Sequence, residues 1–364
     1  MLKFPLWCPA CGRHAHYAPG VAACECSAAF DPGVAPRGTD GNPGDGIWRH
    51  RDAVGSLPRE ISIGEGATPM VPIDHGGQKI HLKLEFLSPT GSYKDRGAAY
   101  SLSLLASLGA ESVTEDSSGN AGAAYAAFAA ALGLRCTVFV PRGAPPQKIE
   151  AIRRYGATIH EVAEGREAAH RLARSRADYA GHSWAAPFLT GVGTLADEIV
   201  EQCGGKAPGE IIFPVGQGGL LYAVHLGFRR LLARGRIRSL PALTGVQAQN
   251  CAPLYWAAHL AAGALPRIRP KLTAADAAAI ERPVRWMRVL QAVAESGGQW
   301  LTVGEEEISV ARDSLLEMGY DVEPTSALPW AIALRRIRTK EGLKPYTVIP
   351  LTGSGWKSRG AKSA

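Results

Sequence analysis

The sequence predicts an α/β fold of mostly parallel sheets wrapped by helices, and three observations carry that reading. Short apolar, β-branched runs alternate with segments of helical period from about residue 60 onward. Glycines and hydroxyl residues gather where such a run gives way to a helix. At 364 residues, 46% apolar and 20% charged, the chain is long enough for two cores. Alternation of this kind implies parallel pairing, because a strand reaches a parallel neighbour only through a crossover.

The first element stands apart. Cys8-Pro-Ala-Cys11 and Cys24-Glu-Cys26 place two thiol pairs at zinc-ribbon spacing in a segment with little core of its own. Residues 1–35 are therefore expected to form a knuckle in which Cys8, Cys11, Cys24 and Cys26 hold one structural zinc. A disulfide pair or a metal-free relic is the alternative, and a reducing compartment disfavours disulfides. His14 and His16 are spare ligand candidates or plain loop residues. Knuckles of this kind serve unrelated functions, so the motif assigns none. Cys136, Cys203 and Cys251 each stand alone in an apolar segment and read as buried reduced thiols. The Gly- and Pro-rich stretch DPGVAPRGTDGNPGDGIW (31–48) reads as a linker, set at 36–60 between knuckle and main body.

Strands then read at 79–85, 112–115, 135–141, 157–162, 210–215, 242–248, 299–303 and 346–351. Helices read at 94–108, 119–133, 146–155, 164–177, 194–203, 219–233, 283–296, 305–318 and 326–338. In parallel sheets ligands sit beyond the carboxyl ends of strands. The loops placed there are SPTGSYK, EDSSGNAG, PVGQGG and PLTGSG. The formal charge of +7 is scattered among acids with no basic run, which argues against a nucleic-acid partner. AGAAYAAFAAALGL (121–134) is too short and Ala-rich for a bilayer span, and the N-terminus has no signal-peptide core. A cytoplasmic protein without a membrane partner is the expectation.

Each loop has a chemical reading beside a plain one. Lys94 lies between two glycines and two hydroxyl residues, a turn through which a small planar molecule can reach its amine. In PVGQGGL, Gly216, Gln217, Gly218 and Gly219 can offer N–H groups and a helix N-terminus to a phosphate, or merely pack tightly. In SSGNAG, Ser117, Ser118 and the N–H groups after Gly119 suit a carboxylate and Asn120 a phenolate-like oxygen; Ser118 or Asn120 as a helix cap is the alternative. Thr352 sets a hydroxyl at a strand end, or closes a turn. Together the four loops supply what pyridoxal phosphate needs: an imine partner, a phosphate anchor, an oxygen donor and a partner for the ring nitrogen.

SPTGSYKDRG (88–97), EDSSGNAGAAYAAFAAALG (115–133), QKIEAIRRYGATIHEV (147–162), TLADEI (194–199), PVGQGGLL (214–221), VEPTSALPWA (322–331) and LTGSGWK (351–357) resemble, in order and spacing, the threonine synthase branch of the fold-type II pyridoxal phosphate enzymes. The resemblance covers about residues 60 to 357, and the CxxC…CxC knuckle is familiar at the front of threonine synthases. It implies two open twisted sheets, with 61–93 and 190–364 as a large cofactor domain and 94–189 as a smaller, mobile substrate domain. It implies Lys94 as the Schiff-base lysine and later general base, Asn120 at the ring oxygen and Thr352 at the ring nitrogen. The phosphate falls to Gly216, Gln217, Gly218, Gly219 and Leu220. The substrate carboxylate falls to Ser117, Ser118, Gly119, Asn120 and Ala121, with Ser117 also catalytic. The partner implied is an amino acid, and the assembly a homodimer.

The chain departs from that branch at two places. Ala121 stands where the family's asparagine is usually followed by Thr, and AAPFLTGVGTLADEI (185–199) lacks the Asn, Arg or Lys that usually precedes the next helix. A doubly charged phosphate ester would lose charge-assisted hydrogen bonds worth about 1.5 to 3 kcal/mol each. The expectation is a paralogue that eliminates or replaces a β- or γ-substituent of another amino acid. A true threonine synthase drawing on Lys148, Arg153 or Arg154 is the alternative, and a degenerate binding protein the third reading.

Overall fold

The computed structural model describes residues 2–21, 23–33, 45–260 and 264–358, the side chains of 357 and 358 excepted. Its strands are β1 (Pro5–Trp7), β2 (His14–His16), β3 (Asp31–Pro32), β4 (Met70–His75), β5 (Gln78–Lys83), β6 (Ser112–Glu115), β7 (Arg135–Pro141), β8 (Thr158–Val162), β9 (Glu210–Pro214), β10 (Ala242–Ala248), β11 (Trp300–Val303) and β12 (Thr347–Pro350). Its α-helices are α1 (Arg51–Val54), α2 (Lys94–Ser107), α3 (Asn120–Leu132), α4 (Pro146–Arg153), α5 (Arg166–Arg174), α6 (Ala186–Gln202), α7 (Gly219–Ala233), α8 (Pro253–His259), α9 (Trp286–Glu295), α10 (Glu305–Glu317) and α11 (Pro324–Arg338). Two compact units result: one of the residues up to Ala67 with Ser88–Thr194, the other of Thr68–Leu87 with Leu195–Trp356.

In the first unit β6, β7 and β8 form a parallel sheet, widened by a parallel bridge from Thr114 to Tyr179. Helix α3 is apolar all round and packs against α2, α4 and β7, so its alanines are buried on nearly every side. Because β6 returns the chain between α2 and α3, both helices begin at the carboxyl end of that sheet. A second, antiparallel sheet of β1, β2 and β3 carries the cysteines, and Phe4 beside β1 packs on Tyr17 and on Tyr100 of α2 at 6.2 and 5.9 Å between ring centroids.

The second unit holds a six-stranded sheet in the order β11-β10-β9-β12-β5-β4. All neighbours are parallel except β4, which pairs antiparallel with β5 across the Gly76-Gly77 turn. Strands β9, β10 and β12 are buried along their whole length, as expected of a parallel sheet covered on both faces. Leu82, Ile212, Val246 and Ile349 from the strands meet Leu328, Trp330 and Ile332 of α11 in its core.

Three readings change. The helix placed at 194–203 begins at Ala186, so most of AAPFLTGVG is helical; Pro187 fits the first turn and the small Gly191 lets α6 meet α2, where an added Cβ would lie 2.1 Å from the Arg96 carbonyl oxygen. Cys203 is partly exposed at the end of α6, while Cys136 and Cys251 are buried. Strand β4 and helix α8 were not anticipated. Of the stretch read as a linker, residues 34–44 lie outside the described residues; beyond it Ile47 and Trp48 are buried in a short 3-10 turn. Among the described residues no helix is long and apolar enough to cross a membrane.

Candidate active site

Lys94 is the first residue of α2, delivered by a turn in which Gly91 takes a φ of 80°, a left-handed conformation that favours glycine. The turn is closed by Asp95, whose buried carboxylate accepts the backbone N–H of Thr90 at 2.7 Å and the Thr90 hydroxyl. The hydroxyls of Ser88 and Ser92 are buried there without a hydrogen-bond partner. The Lys94 amine lies 5.1 Å from the ring centre of Tyr93 and 5.4 Å from that of Phe188 on α6.

The same unit places SSGNA between β6 and α3. Ser117 Oγ accepts the backbone N–H of Gly119 at 3.2 Å, and Asn120 and Ala121 open the helix. The N-cap is Gly119, with no side-chain capping bond, so neither Ser118 nor Asn120 serves as the cap. The N-cap glycine offers no side chain to the first-turn N–H groups of α3, and a helix N-terminus favours a carboxylate.

Behind the loop lies a titratable cluster that sequence reasoning passed over. Glu115, fully buried at the end of β6, accepts the backbone N–H of His182 at 2.9 Å and pairs with His182 Nδ1 at 2.7 Å. Asp116 pairs with His170 Nδ1 at 2.6 Å and accepts the Tyr179 hydroxyl at 3.0 Å. Burial, then the charge of Asp116, pushes the Glu115 carboxyl well above the usual range. Burial, then the Lys94 charge, holds the His182 imidazole well below its usual value. For Asp116 burial acts upward, and the His170 partnership outweighs it and lowers the carboxyl. The one signal available in the sequence was the pair of acids in EDSSGNAG.

The second unit carries the other two loops on adjacent parallel strands, β9 and β12. After β9, Gly216 and Gln217 lead to Gly218, the left-handed N-cap of α7, with Gly219 and Leu220 opening the helix. An added Cβ would lie 2.7 Å from the Ala277 carbonyl oxygen at Gly216 and 2.6 Å from Val289 at Gly218. Gln217 accepts the Val284 N–H at 3.0 Å, which ties the loop to the segment ahead of α9. After β12, buried Thr352 shares a 2.9 Å hydrogen bond with Ser326 of α11, a residue the sequence reading did not single out. Taken unit by unit, the glycine cradle at a helix start and the buried hydroxyl at a strand end of the second unit suit the phosphate and ring nitrogen of pyridoxal phosphate, and the amine in the glycine turn of the first unit suits its aldehyde.

Cys8, Cys11, Cys24 and Cys26 have their sulfurs within 4.8 Å of one another. Cys8 and Cys26 approach to 3.5 Å and Cys11 and Cys24 to 3.6 Å, close to the roughly 3.8 Å edge of a tetrahedron with zinc–sulfur bonds of about 2.3 Å. His14 and His16 are exposed on β2. Arg153 and Arg154 are exposed and pair with Glu150 at 3.7 and 3.3 Å.

Residues 61–353 match the family described as pyridoxal-phosphate dependent enzyme. The chain is 33% identical to a threonine synthase of Methanosarcina acetivorans over 77% of its own length and 72% of that protein. It is 32% identical to a threonine synthase of Mycobacterium bovis over 85% and 87%. Its fold overlays a threonine deaminase of T.th. with a TM-score of 0.63 at 28% identity, covering 76% of this chain and 88% of that one. By sequence, fold and the residues at its loops, the chain belongs to the pyridoxal-phosphate dependent enzymes, in their threonine-synthase-like branch.

Proposed function

We propose that the chain binds pyridoxal 5′-phosphate at Lys94 and catalyses elimination or replacement on an amino acid bearing a leaving group at Cβ or Cγ. The observation that carries this reading is the position of Lys94, at the head of α2 and at the same sheet end as the SSGNA loop. When bound, the cofactor supplies an electron sink for charge developing at Cα, and a neutral Thr352 at its ring nitrogen suits elimination and replacement. Lys94, once its amine is released, moves the Cα proton. Ser117, Ser118, Gly119, Asn120 and Ala121 hold the substrate carboxylate, with Ser117 beside the reacting atoms and Asn120 donating to the ring oxygen. Gly216, Gln217, Gly218, Gly219 and Leu220 hold the phosphate.

The curated relatives favour a second reading, threonine synthase proper. Against it, Ala121 has no hydroxyl and the family's phosphate-binding segment is here the apolar start of α6. One experiment separates the two: the holoenzyme is incubated in deuterium oxide with O-phosphohomoserine, L-serine and L-threonine. Lys94-dependent Cα exchange with a β-hydroxy amino acid, and feeble threonine formation, support the first reading. Rapid threonine formation supports the second.

One zinc held by Cys8, Cys11, Cys24 and Cys26 is proposed as a structural element, distant in role from the chemistry. A homodimer is proposed as well, from the family resemblance and the commonness of two-fold symmetry. A cytoplasmic setting is proposed from the seven cysteines, all of them free.

A further inference from the structure

Glu115 and His182 lie 67 residues apart in sequence, yet the Glu115 carboxyl group accepts the backbone N–H of His182 and shares a hydrogen bond with its Nδ1. That double attachment fixes the imidazole ring and turns Nε2 the other way, where it meets the Ser183 hydroxyl at 3.2 Å. The ring stands edge-on to Phe188 at 5.7 Å between centroids. The Lys94 amine lies over the same Phe188 ring at 5.4 Å, so the imidazole and the amine share one aromatic wall. The Glu115 side chain is fully buried and the imidazole 16% exposed, so any access to the pair is through the imidazole.

Resting on the functional reading above, we infer that the Glu115–His182 pair donates a proton, from His182 Nε2 and through the Ser183 hydroxyl, to the leaving group of the substrate, and that this leaving group is a hydroxyl. The proton balance supports it. The donation requires Glu115 to carry its own proton on the oxygen facing Nδ1 and the imidazole to be neutral with its hydrogen on Nε2; burial, which raises the carboxyl and lowers the imidazole, acts in that direction. Lys94 takes the Cα proton, and the pair of that C–H bond becomes the second bond between Cα and Cβ. The Cβ–O bond breaks with its pair on oxygen, and the Nε2 proton converts the departing hydroxide to water. The Glu115 proton passes to Nδ1, leaving a carboxylate held by Nδ1–H and the backbone N–H. Lys94 then holds one proton more and the pair one fewer, and solvent resets both. A hydroxyl is the group that needs this service, since hydroxide is a poor leaving group and chloride departs unprotonated. The other charged groups facing the pair are Lys94, Asp116, Arg166 and His170.

The test compares water loss from L-serine with chloride loss from β-chloro-L-alanine, in the wild-type holoenzyme and in His182→Asn, which keeps an amide hydrogen-bond partner for Glu115 and has no titratable ring. General acid catalysis contributes about 100-fold or more, so the serine-to-chloroalanine rate ratio should fall by at least about that factor in the variant. Equal loss on both substrates means a structural role and overturns the proposal, as does a wild-type enzyme that exchanges the Cα proton of L-serine without releasing water. If the wild type exchanges neither substrate's Cα proton, the functional reading itself fails and this inference with it. A readout free of turnover uses the apoprotein: nitrogen NMR of histidine-labelled wild type should show His182 neutral and protonated on Nε2 from pH 6 to 8. A His182 signal that titrates near the ordinary value of about 6.5 overturns the proposal.

Discussion

Thr90 directs both its backbone N–H, at 2.7 Å, and its hydroxyl onto the carboxylate of Asp95, the residue that follows Lys94. The clamp explains how a four-carbon cation is held at the start of a helix: the acid closes the turn, and the amine is left facing two aromatic rings. Hydrogen bonds to an ionised group are worth about 1.5 to 3 kcal/mol each, so Asp95→Ala should destabilise the chain by about 3 kcal/mol in urea unfolding. Asp95→Asn keeps one acceptor and should lose about half as much.

The phosphate cradle makes a second prediction. Gly218 has a φ of 78° and an added Cβ would lie 2.6 Å from Val289, so alanine there meets both backbone strain and a clash. Left-handed backbone alone costs about 1 to 2 kcal/mol. Gly218→Ala should weaken cofactor binding at least tenfold by equilibrium dialysis, while far-ultraviolet circular dichroism stays that of a folded chain.

In the second unit Lys83 is fully buried and paired with Glu198, and its amine also donates to the Thr68 carbonyl and to Gln202 at 2.9 Å. Removing one member of a buried pair strands the other charge. Glu198→Ala should therefore cost about 3 to 5 kcal/mol, and the double change Lys83→Met with Glu198→Leu distinctly less. Denaturant titration of the two variants checks this; equal losses would refute it.

The cysteine cluster should bind one zinc, measured by metal analysis, and Cys8→Ser with Cys11→Ser should abolish it. At Cys8 burial acts upward, but hydrogen bonds from the Cys11 and Ala10 backbone and from neighbouring thiols outweigh it, lowering the thiol from 9.0 to about 7. A depressed value in the fold means stabilisation by the thiolate that is complete above pH 9.0 and lost as the pH falls through about 7. Zinc should be lost to a chelator more readily as the pH falls, since only thiolate binds the metal.

The parallel strands were legible because each is a short buried run followed by a helix, and the special loops were legible because glycine, serine and threonine collect at the junctions. β4 was missed because MVPIDH contains Pro72 and two polar residues; as an edge strand it tolerates proline that a central strand would not. The first turns of α6 were missed because Pro187, Gly191 and Gly193 read as loop, although Gly191 is where α2 comes close. The Glu115–His182 pairing left no local pattern beyond the two acids of EDSSGNAG. Its members are brought together by the return of the chain beside β6, at the Thr114–Tyr179 bridge.

The central claim is that Lys94 carries the cofactor. Borohydride reduction of the holoenzyme, followed by protease digestion and mass spectrometry, tests it most directly. One pyridoxyl group is expected, fixed irreversibly on the Lys94 side chain and lost in Lys94→Ala. A pyridoxyl group on another lysine of the wild type, or the same reducible chromophore in Lys94→Ala, would contradict it.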